Sequence, residues 1–321
     1  MSPALPFLDT DAIRAAVPIG DLLDAVEMAF KDVAAGRDRS PLRSHVALDD
    51  GDLLLMPGLR RGGSGTTVKI VTIVPGNAAT GRPTVQAVVV WIDAATGTPR
   101  ALIDGATLTA MRTGAASGVA TRLLARRDAS SLAVIGAGAQ AAWQVPAVLA
   151  ARPSITDVRV FARDPAGREA FAARIDAELA GVTVRAVASA EDAVRGASVV
   201  CCATTATEPV FDAAWLSAGA HVNGIGAFRL GMVELPAELF AVASIVAVDS
   251  RAAALAEAGD LVAAMERGLV AEAELVEIGT VDRDWAATRD TQAITAFKSV
   301  GLAIQDVAAA ELIAGRLLTD A

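Results

Sequence analysis

LAVIGAGAQA, residues 132–141, is an apolar stretch that runs directly into a glycine-rich turn and then into the start of a helical pattern. The turn matches the pattern G-x-G-x-x-A. Gly136 permits a tight turn, Gly138 lets the backbone approach a pyrophosphate, and Ala141 lets the helix pack close to the strand. Unpaired N–H groups at the helix start would add partial positive charge for that pyrophosphate. The stretch predicts a dinucleotide-binding turn, and the alternative is a tight strand-to-helix turn with no ligand.

From Ser131 onward, apolar runs alternate with helical patterns. The predicted strands are 131–135, 157–161, 182–186, 197–202, 221–225 and 245–248. The predicted helices between them are 139–151, 166–179 and 190–195. Strands that are apolar throughout are typical of a parallel sheet covered on both faces, so the expected fold class is α/β with a Rossmann-type doubly wound parallel sheet.

The first third of the chain has a mixed α+β pattern. Apolar residues recur at helical spacing from Leu22 to Phe30 and predict a helix over 19–34. The other elements predicted outside the alternating region are the strands 52–56, 67–74, 83–92 and 101–103 and the helices 107–125 and 295–318. This part of the chain is therefore expected to form a separate α+β domain.

Composition and charge narrow the classes of partner. The 321 residues are 53% hydrophobic, with 28 basic and 37 acidic side chains and a net charge of −9. An acidic protein repels the phosphates of nucleic acids and of anionic membranes, so neither is an expected partner. The sequence shows no signal peptide and no apolar run of about 20 residues that could span a membrane, so we expect a cytoplasmic protein.

The cysteines and histidines do not indicate a metal site. Cys201 and Cys202 are adjacent within an apolar run, without a C-x-x-C pattern, and are expected to be small buried residues of a strand in a reducing compartment. His45 and His221 are the only histidines and lack paired carboxylates, so no bound metal is expected.

The end of the second strand bears on the choice of cofactor. It reads VFARD over residues 160–164, and Ala162 stands where an acidic residue would bind a free ribose 2′-hydroxyl. Arg163 can pair with a 2′-phosphate, so NADP(H) is favoured over NAD(H). Asp164 could instead serve the ribose, and Arg163 could simply be solvated. After the fourth strand, 204–207 (TTAT) places hydroxyls where they could lie beside the cofactor or cap a turn.

Two basic residues in the first third stand out because small or apolar residues flank them. Lys69 interrupts an apolar strand, and Arg112 lies in the middle of a small-residue helix. A cation in such surroundings needs an anion or a cleft, and the arginine fork suits a carboxylate. The alternative is one structural salt bridge at each residue.

Taken together, the sequence resembles the ornithine cyclodeaminase/mu-crystallin family. The matching stretches are Met56-Pro57, the strand of Lys69, residues 109–113 (TAMRT), 136–140 (GAGAQ), 221–226 (HVNGIG) and 297–301 (FKSVG). The resemblance implies a homodimer whose subunits bind a nicotinamide cofactor and act on small α-amino or α-imino acids. It also implies a Rossmann domain, residues 119–296, inserted in a substrate-binding and dimerisation domain formed by 1–118 and 297–321.

The resemblance also implies roles for individual residues. Arg43, Lys69 and Arg112 would hold the substrate carboxylate, Lys69 and Arg112 would be catalytic, and Gln86 and Phe228 would shape the substrate pocket. The cofactor would be bound by Thr84, Arg112, Gly136, Gly138, Ala139, Gln140, Ala162, Arg163, Thr204, Ile225 and Ser299.

One position departs from the cyclodeaminase pattern. Cyclodeaminases carry an aspartate in the loop that follows the H-x-N-x-x-G stretch, and Phe228 occupies that position here. A phenyl ring cannot transfer protons, so the loss argues against cyclodeamination. It agrees better with family members that reduce a C=N bond, such as ketimine reductases and Δ1-pyrroline-2-carboxylate reductases.

The favoured hypothesis is NAD(P)H-dependent reduction of a cyclic or linear α-imino acid to an L-amino acid. A second hypothesis within the family is an ornithine or lysine cyclodeaminase with bound NAD+. A third, of another class, is a mu-crystallin-like protein that binds NADPH and a small ligand without turnover.

Overall fold

A computed structural model describes residues 4–318 and divides the chain into two compact units. The first contains the residues up to Arg112 and those from Leu302 onward, and the second is Thr113–Gly301. The expected domain boundaries, at 118/119 and 296/297, differ by five or six residues. Phe297 and Lys298 fall in the second unit because they pair with Asn223 and Gly224 in its parallel sheet.

The first unit begins with short elements and continues as an antiparallel meander. Its elements are β1 (Phe7–Leu8), α1 (Thr10–Ala16), α2 (Ile19–Ala34), β2 (Ser44–Leu48), β3 (Gly51–Leu59), β4 (Gly65–Ile73), β5 (Val85–Asp93) and β6 (Pro99–Asp104). The helix α3 (Gly105–Leu124) follows and continues past the boundary at Arg112.

The second unit alternates strands and helices. Its elements are β7 (Ser131–Ile135), α4 (Ala139–Ala151), β8 (Asp157–Phe161), α5 (Pro165–Glu178), β9 (Thr183–Ala186), α6 (Ala190–Val194), β10 (Val199–Cys202), β11 (His221–Gly224), α7 (Ala237–Val242), β12 (Ala243–Val248), α8 (Arg251–Glu257), α9 (Gly259–Glu266), β13 (Leu275–Glu277), α10 (Trp285–Thr288) and β14 (Ile294–Lys298). The last helix, α11 (Ala303–Leu317), belongs to the first unit.

In the first unit, one face of the six-stranded sheet is buried under helices. The strand order is β1-β6-β5-β4-β3-β2, and α11 packs on β3, β4 and α2. The helix α2 has the predicted bounds, and it buries Leu22, Leu23, Val26 and Phe30 on one side. The register places Lys69 opposite Met56 and Val89 on the buried face of the sheet.

In the second unit, the described strands form one parallel sheet in the order β13-β12-β14-β11-β10-β7-β8-β9. The chain builds outward from β7 through β8 to β9 and then resumes with β10 on the other side of β7. This confirms the α/β, doubly wound prediction. The strand order reverses between β7 and β10, and ligands of such sheets bind beyond the carboxyl ends of the strands at that point.

The predicted final helix, 295–318, was wrong at its beginning. Residues 294–298 form β14, a buried strand between β11 and β12, and the helix begins only at Ala303. Gly301, with a φ of 83°, separates the two elements. A short apolar run has no periodicity that distinguishes a buried strand from a buried helix turn. None of the described helices is both long and apolar enough to cross a membrane.

Candidate functional site

Four neighbouring strands of the second unit end at the same level. The register pairs Ile135 with Cys202, Cys202 with Gly224, and Gly224 with Lys298. The residues that follow these strand ends are Gly136, Ala203, Ile225 and Ser299. The sheet therefore brings three of the predicted cofactor residues, from distant parts of the sequence, to one edge.

A groove of about 510 Å³ lies at this edge and is lined by residues 135–138, 161–163 and 203–210. Its volume is within the range of about 300–1,000 Å³ typical of small-molecule sites. Among the predicted cofactor residues, Gly136, Gly138, Ala162, Arg163 and Thr204 line it. Ala139 and Gln140 open the adjoining helix α4, while Ile225 and Ser299 lie farther along the same edge.

The glycine-rich turn has the geometry that the motif requires. Gly136 has a φ of 115°, and a Cβ built on it would lie 2.6 Å from the carbonyl oxygen of Ala203. Gly138 precedes the first residue of α4, and a Cβ there would meet nothing within 4 Å. Space for a ligand is therefore left above Gly138, next to the N–H groups that begin the helix.

Gln140 supports the fit of a polar ligand to this turn. Its side-chain oxygen is buried and has no hydrogen-bond partner among residues 4–318. Buried polar atoms are normally paired, so an unpaired one in the first turn of α4 is consistent with a missing ligand or ordered water. The turn and the start of α4 thus fit the pyrophosphate of a dinucleotide.

At the far end of the groove, Asp164 has a structural role. Its Oδ2 accepts the backbone N–H of Gly167 at 3.0 Å and caps α5. Ala162 and Arg163 line the groove, and the side chain of Arg163 is exposed. This bond uses one oxygen of the carboxylate, and the Asp164 side chain is exposed beside Arg163.

A buried carboxylate that sequence analysis missed holds two of the loops at this edge. Glu234 accepts the N–H and hydroxyl of Thr204 at 3.0 and 3.1 Å, and the N–H of Gly226 at 2.5 Å. Burial raises the pKa of Glu234 to about 7, although the positive charge of Lys298 acts in the opposite direction. The available signal was an acidic residue between apolar neighbours, the same signal that identified Lys69.

A second buried carboxylate, Asp249, holds the loop after β14. Its Oδ2 accepts the hydroxyl of Ser299 at 2.8 Å and the N–H groups of Val300 and Gly301 at 2.9 and 2.8 Å. The Ser299 hydroxyl therefore donates to protein, and the residue fixes the position of its loop. The preceding residue, Lys298, is fully buried and lies 3.2 Å from Asp260.

His221 is part of the interior of the sheet. Its two ring nitrogens lie 3.0 Å from the Thr295 hydroxyl and 3.1 Å from the Asn223 side-chain oxygen. Burial lowers the pKa of His221 to about 3, so the ring is neutral at physiological pH. These contacts give His221 a structural role in the sheet.

In the first unit, Lys69 and Arg112 meet at one carboxylate. Asp306 on α11 lies 2.7 Å from Lys69 Nζ through Oδ2 and 3.0 Å from Arg112 Nε through Oδ1. Arg112 Nη1 also donates to Gln305 at 2.9 Å. Lys69, Arg112 and Asp306 are all at most 4% exposed. The sequence allowed one salt bridge per cation, whereas a single aspartate serves both.

The cluster of Lys69, Arg112 and Asp306 carries a net positive charge when Lys69 is protonated. Two cations face one carboxylate, and Arg43, which is partly exposed, adds a further positive charge that acts on Lys69. Burial, followed by the charges of Arg112 and Arg43, lowers the pKa of Lys69 to about 7 against the opposing effect of Asp306. The cluster is therefore suited to a small anion and contains an amine that can exchange a proton near neutral pH.

The other residues predicted to bind substrate or cofactor are Gln86 and Thr84 in the first unit and Phe228 in the second. Gln86 is paired with Thr72 in the sheet, whereas Lys69 is paired with Val89, three residues after Gln86 on the same strand. Since side chains alternate along a strand, Gln86 and Lys69 point to opposite faces. Thr84 precedes β5 and accepts the N–H of Val74 through its carbonyl, and Phe228 is half-buried in the loop after β11.

Comparison with known proteins agrees with this arrangement. A sequence model of the ornithine cyclodeaminase/mu-crystallin family matches residues 7–320. The chain belongs to this family. The match extends over both units, so membership rests on the strands of the first unit and α11 as well as on the glycine-rich turn.

The relatives of this family member include imino-acid reductases. A Δ1-pyrroline-2-carboxylate reductase of Bacillus cereus is 38% identical over 95% of the chain and 94% of its own length. The ketimine reductase mu-crystallin of Mus musculus is 34% identical over 98% of the chain and 97% of its own length. These are the two activities that the sequence favoured over cyclodeamination, and both are oxidoreductions of C=N bonds.

A solved structure extends the comparison to ligands. The Δ1-pyrroline-2-carboxylate reductase of Thermococcus litoralis, solved in complex with NADH and L-proline, superposes with a TM-score of 0.91. It is 34% identical, and the alignment covers 98% of both chains. That protein binds a nicotinamide cofactor together with a small cyclic amino acid.

Proposed function

We propose that this protein is an NAD(P)H-dependent reductase that converts an α-imino acid of the Δ1-pyrroline-2-carboxylate type into the corresponding L-amino acid. The observation that carries the proposal is the buried cluster of Lys69, Arg112 and Asp306, which combines a surplus positive charge with an amine whose pKa is lowered to about 7. The first property suits a carboxylate and the second suits proton transfer to nitrogen. The relatives' reactions support the assignment.

The substrate carboxylate would be held by the arginines. Arg112 has Nε on Asp306 and Nη1 on Gln305, which leaves Nη2 outside both bonds. With Arg43, it would grip the carboxylate and fix the imine carbon in one orientation. Such positioning removes much of the entropic barrier to a bimolecular reaction.

Lys69 would handle the proton. Reduction adds a hydride to the imine carbon and a proton to the nitrogen, and the bound cofactor supplies the hydride. Lys69 would donate the proton, directly or through water, and Asp306 holds its ammonium in place at 2.7 Å. A lysine with a pKa near 7 can give up a proton more readily than an ordinary lysine.

NADP(H) is the preferred cofactor in this proposal. Ala162 and Arg163 line the groove where the adenosine ribose would lie, and one oxygen of the Asp164 carboxylate caps α5. An exposed arginine next to an alanine that stands where an acidic residue would bind the 2′-hydroxyl favours a 2′-phosphate.

We further propose that two copies of the chain associate through the open face of the first unit's sheet. The register places an apolar set on that face, none of it buried: Val46, Leu53, Leu55, Val68, Ile70, Val88 and Val90. A continuous apolar sheet surface of this kind is unusual in a monomer. The homodimer implied by the family resemblance would cover it.

A substrate panel tests the proposed reaction. Purified protein is incubated with NADPH or NADH and, separately, Δ1-pyrroline-2-carboxylate, Δ1-piperideine-2-carboxylate, or pyruvate with an amine. We expect oxidation of the cofactor with a cyclic imino acid and formation of the amino acid in equal amount. Ammonia and proline formed from ornithine with catalytic NAD+ would favour the cyclodeaminase instead, and tight NADPH binding without turnover would favour a binding protein.

A further inference from the structure

The carboxylate of Glu234 connects the two loops that follow the neighbouring strands β10 and β11. Its Oε2 accepts two hydrogen bonds from Thr204, which follows β10, and its Oε1 accepts one from Gly226, which follows β11. The residue is fully buried. Two of these three donors are backbone N–H groups, so the carboxylate fixes the course of the main chain in both loops.

The segment around Glu234 also holds the groove wall through its own backbone. Val233 donates its N–H to the carbonyl of Ala206 at 3.0 Å, and the N–H of Val210 donates to the carbonyl of Glu234 at 2.9 Å. Residues 203–210 form one wall of the groove. This wall is therefore attached to the 233–234 segment by both side-chain and main-chain bonds.

Gly226 shows how closely the two loops approach each other. A Cβ built on Gly226 would lie 2.0 Å from the Thr204 carbonyl oxygen and 2.5 Å from Glu234 Oε2. Position 226 therefore has no room for a side chain, because the Thr204 backbone and the Glu234 carboxylate already fill the space beside it. A change in this carboxylate would be transmitted directly to Thr204 and Gly226.

We propose that Glu234 is a positioning residue for the nicotinamide half of the cofactor groove, acting through the loops of Thr204 and Gly226. In this proposal the pyrophosphate lies at the glycine-rich turn after β7, and the adenosine lies beside Ala162 and Arg163 after β8. The strands β10 and β11 lie on the opposite side of β7, so the loops after them would border the nicotinamide. This inference rests on the proposed nicotinamide-dependent function. It adds a residue that touches neither substrate nor cofactor but determines the groove's shape.

The charge state of Glu234 would then modulate cofactor affinity. The ionised form accepts all three bonds, whereas protonation leaves one oxygen as a poor acceptor facing N–H donors. The titratable and charged groups that act on Glu234 or face it are Lys298 on β14, Asp260 on α9, and Cys201 and Cys202 on β10. Because burial raises the pKa of Glu234 to about 7, cofactor should bind more weakly as the pH falls through neutrality.

Glu234→Gln tests the proposal because it keeps the side-chain shape and removes the charge. The control is Asp176→Asn, which alters another carboxylate of the same unit. Asp176 accepts the N–H of Val184 at 2.7 Å, and neither residue lines the groove. Dissociation constants of NADH and NADPH are measured by fluorescence titration at pH values well below and well above neutrality, together with thermal unfolding. NADH is included because it has no 2′-phosphate to titrate.

We expect Glu234→Gln to weaken NADH binding at high pH by at least about tenfold, the effect of losing one charge-assisted hydrogen bond, and to flatten its pH dependence. Asp176→Asn should keep both the affinity and the pH dependence. Wild-type affinity in Glu234→Gln, with an unchanged pH dependence, would overturn the proposal. If Glu234→Gln does not fold, the wild-type protein alone tests the proposal. An NADH affinity of the wild-type protein that does not change with pH around neutrality would overturn the proposal.

The result also separates this inference from the proposed function. If the wild-type protein binds NADH with the expected pH dependence but reduces no imino acid, the positioning role stands and the reductase proposal fails. If it binds neither NADH nor NADPH, both are overturned.

Discussion

Asp306 lies between Lys69 and Arg112 and balances only one of their two charges. Removing one partner from a buried ionic cluster leaves an uncompensated charge, which costs about 3–5 kcal/mol. The aspartate therefore has a structural effect through the ion pairs and a functional one, because it fixes the two cations that would meet the substrate. Replacing Asp306 and, separately, a more exposed carboxylate shows how much larger the effect of the buried ion pairs is.

Asp306→Asn is expected to lower the free energy of unfolding by about 3 kcal/mol and to reduce turnover, since the remaining amide oxygen cannot balance either cation. Urea unfolding and steady-state kinetics measure the two effects. Glu311→Gln on the same helix is the control, because Glu311 pairs with a more exposed Arg60. We expect it to cost about 1 kcal/mol or less, and an equal loss in both variants would contradict the special role of Asp306.

Arg163→Ala is expected to raise the KM for NADPH about tenfold, since a phosphate loses one charge-assisted partner, and to leave the KM for NADH unchanged. Arg174→Ala, an exposed arginine of α5 outside the groove lining, serves as the control. Steady-state kinetics with both cofactors measures the ratio. A parallel change for NADPH and NADH would rule out recognition of the 2′-phosphate by Arg163.

Among the helices and strands, the bounds predicted from the sequence are most accurate where local signals determine the structure. The predicted bounds of β7, α4 and β8 agree with the structure, because an apolar strand, a glycine turn and a helix start each have local signals. The strand β14 was taken for part of a helix, since four of its five residues are buried, it lies between β11 and β12, and it carries no alternation. Only tertiary pairing determines its conformation.

The glycine-rich turn offers two substitutions with different expected outcomes. Gly138→Ala should leave stability within about 0.5 kcal/mol of wild type, because the added Cβ meets nothing within 4 Å, yet weaken cofactor binding by filling the space for the pyrophosphate. Gly136→Ala should lower stability by about 2 kcal/mol or more, because of its φ of 115° and the Ala203 carbonyl.

Thermal unfolding and fluorescence titration of NADPH measure the outcomes for both glycine variants. Unchanged cofactor affinity in a folded Gly138→Ala variant would show that the turn does not carry the pyrophosphate.

For the whole molecule, the sequence predicted the fold class and the family, and several residues predicted to bind the cofactor lie at one edge of the parallel sheet. It did not predict Asp306, Glu234 or Asp249, whose partners lie from eight to more than two hundred residues away along the chain. A charged residue between apolar neighbours indicates that a partner exists, but only the packed structure identifies it. The sequence also did not show that Gln86 and Lys69 lie on opposite faces of the sheet, because this depends on how the strands pair.

The association of two subunits is tested by charge on the open sheet face. Ile70→Asp places a carboxylate among the apolar residues of that face and should shift the protein from dimer to monomer, since burying an unpaired charge is unfavourable. Val242→Asp, at a valine of the second unit that is more exposed than Ile70 (54% against 37%), should leave the mass unchanged. Light scattering after size-exclusion chromatography gives the masses, and a dimer that persists in Ile70→Asp would exclude this face.

The most direct measurement compares Lys69→Ala with the wild-type protein for NADPH-dependent reduction of Δ1-pyrroline-2-carboxylate to L-proline, alongside the NADPH dissociation constant. We expect wild-type protein to form one proline per NADPH oxidised, and Lys69→Ala to lose at least about a hundredfold in kcat, the usual effect of removing a proton donor, with cofactor binding retained. Near-wild-type turnover by Lys69→Ala would contradict the role given to the buried cation cluster.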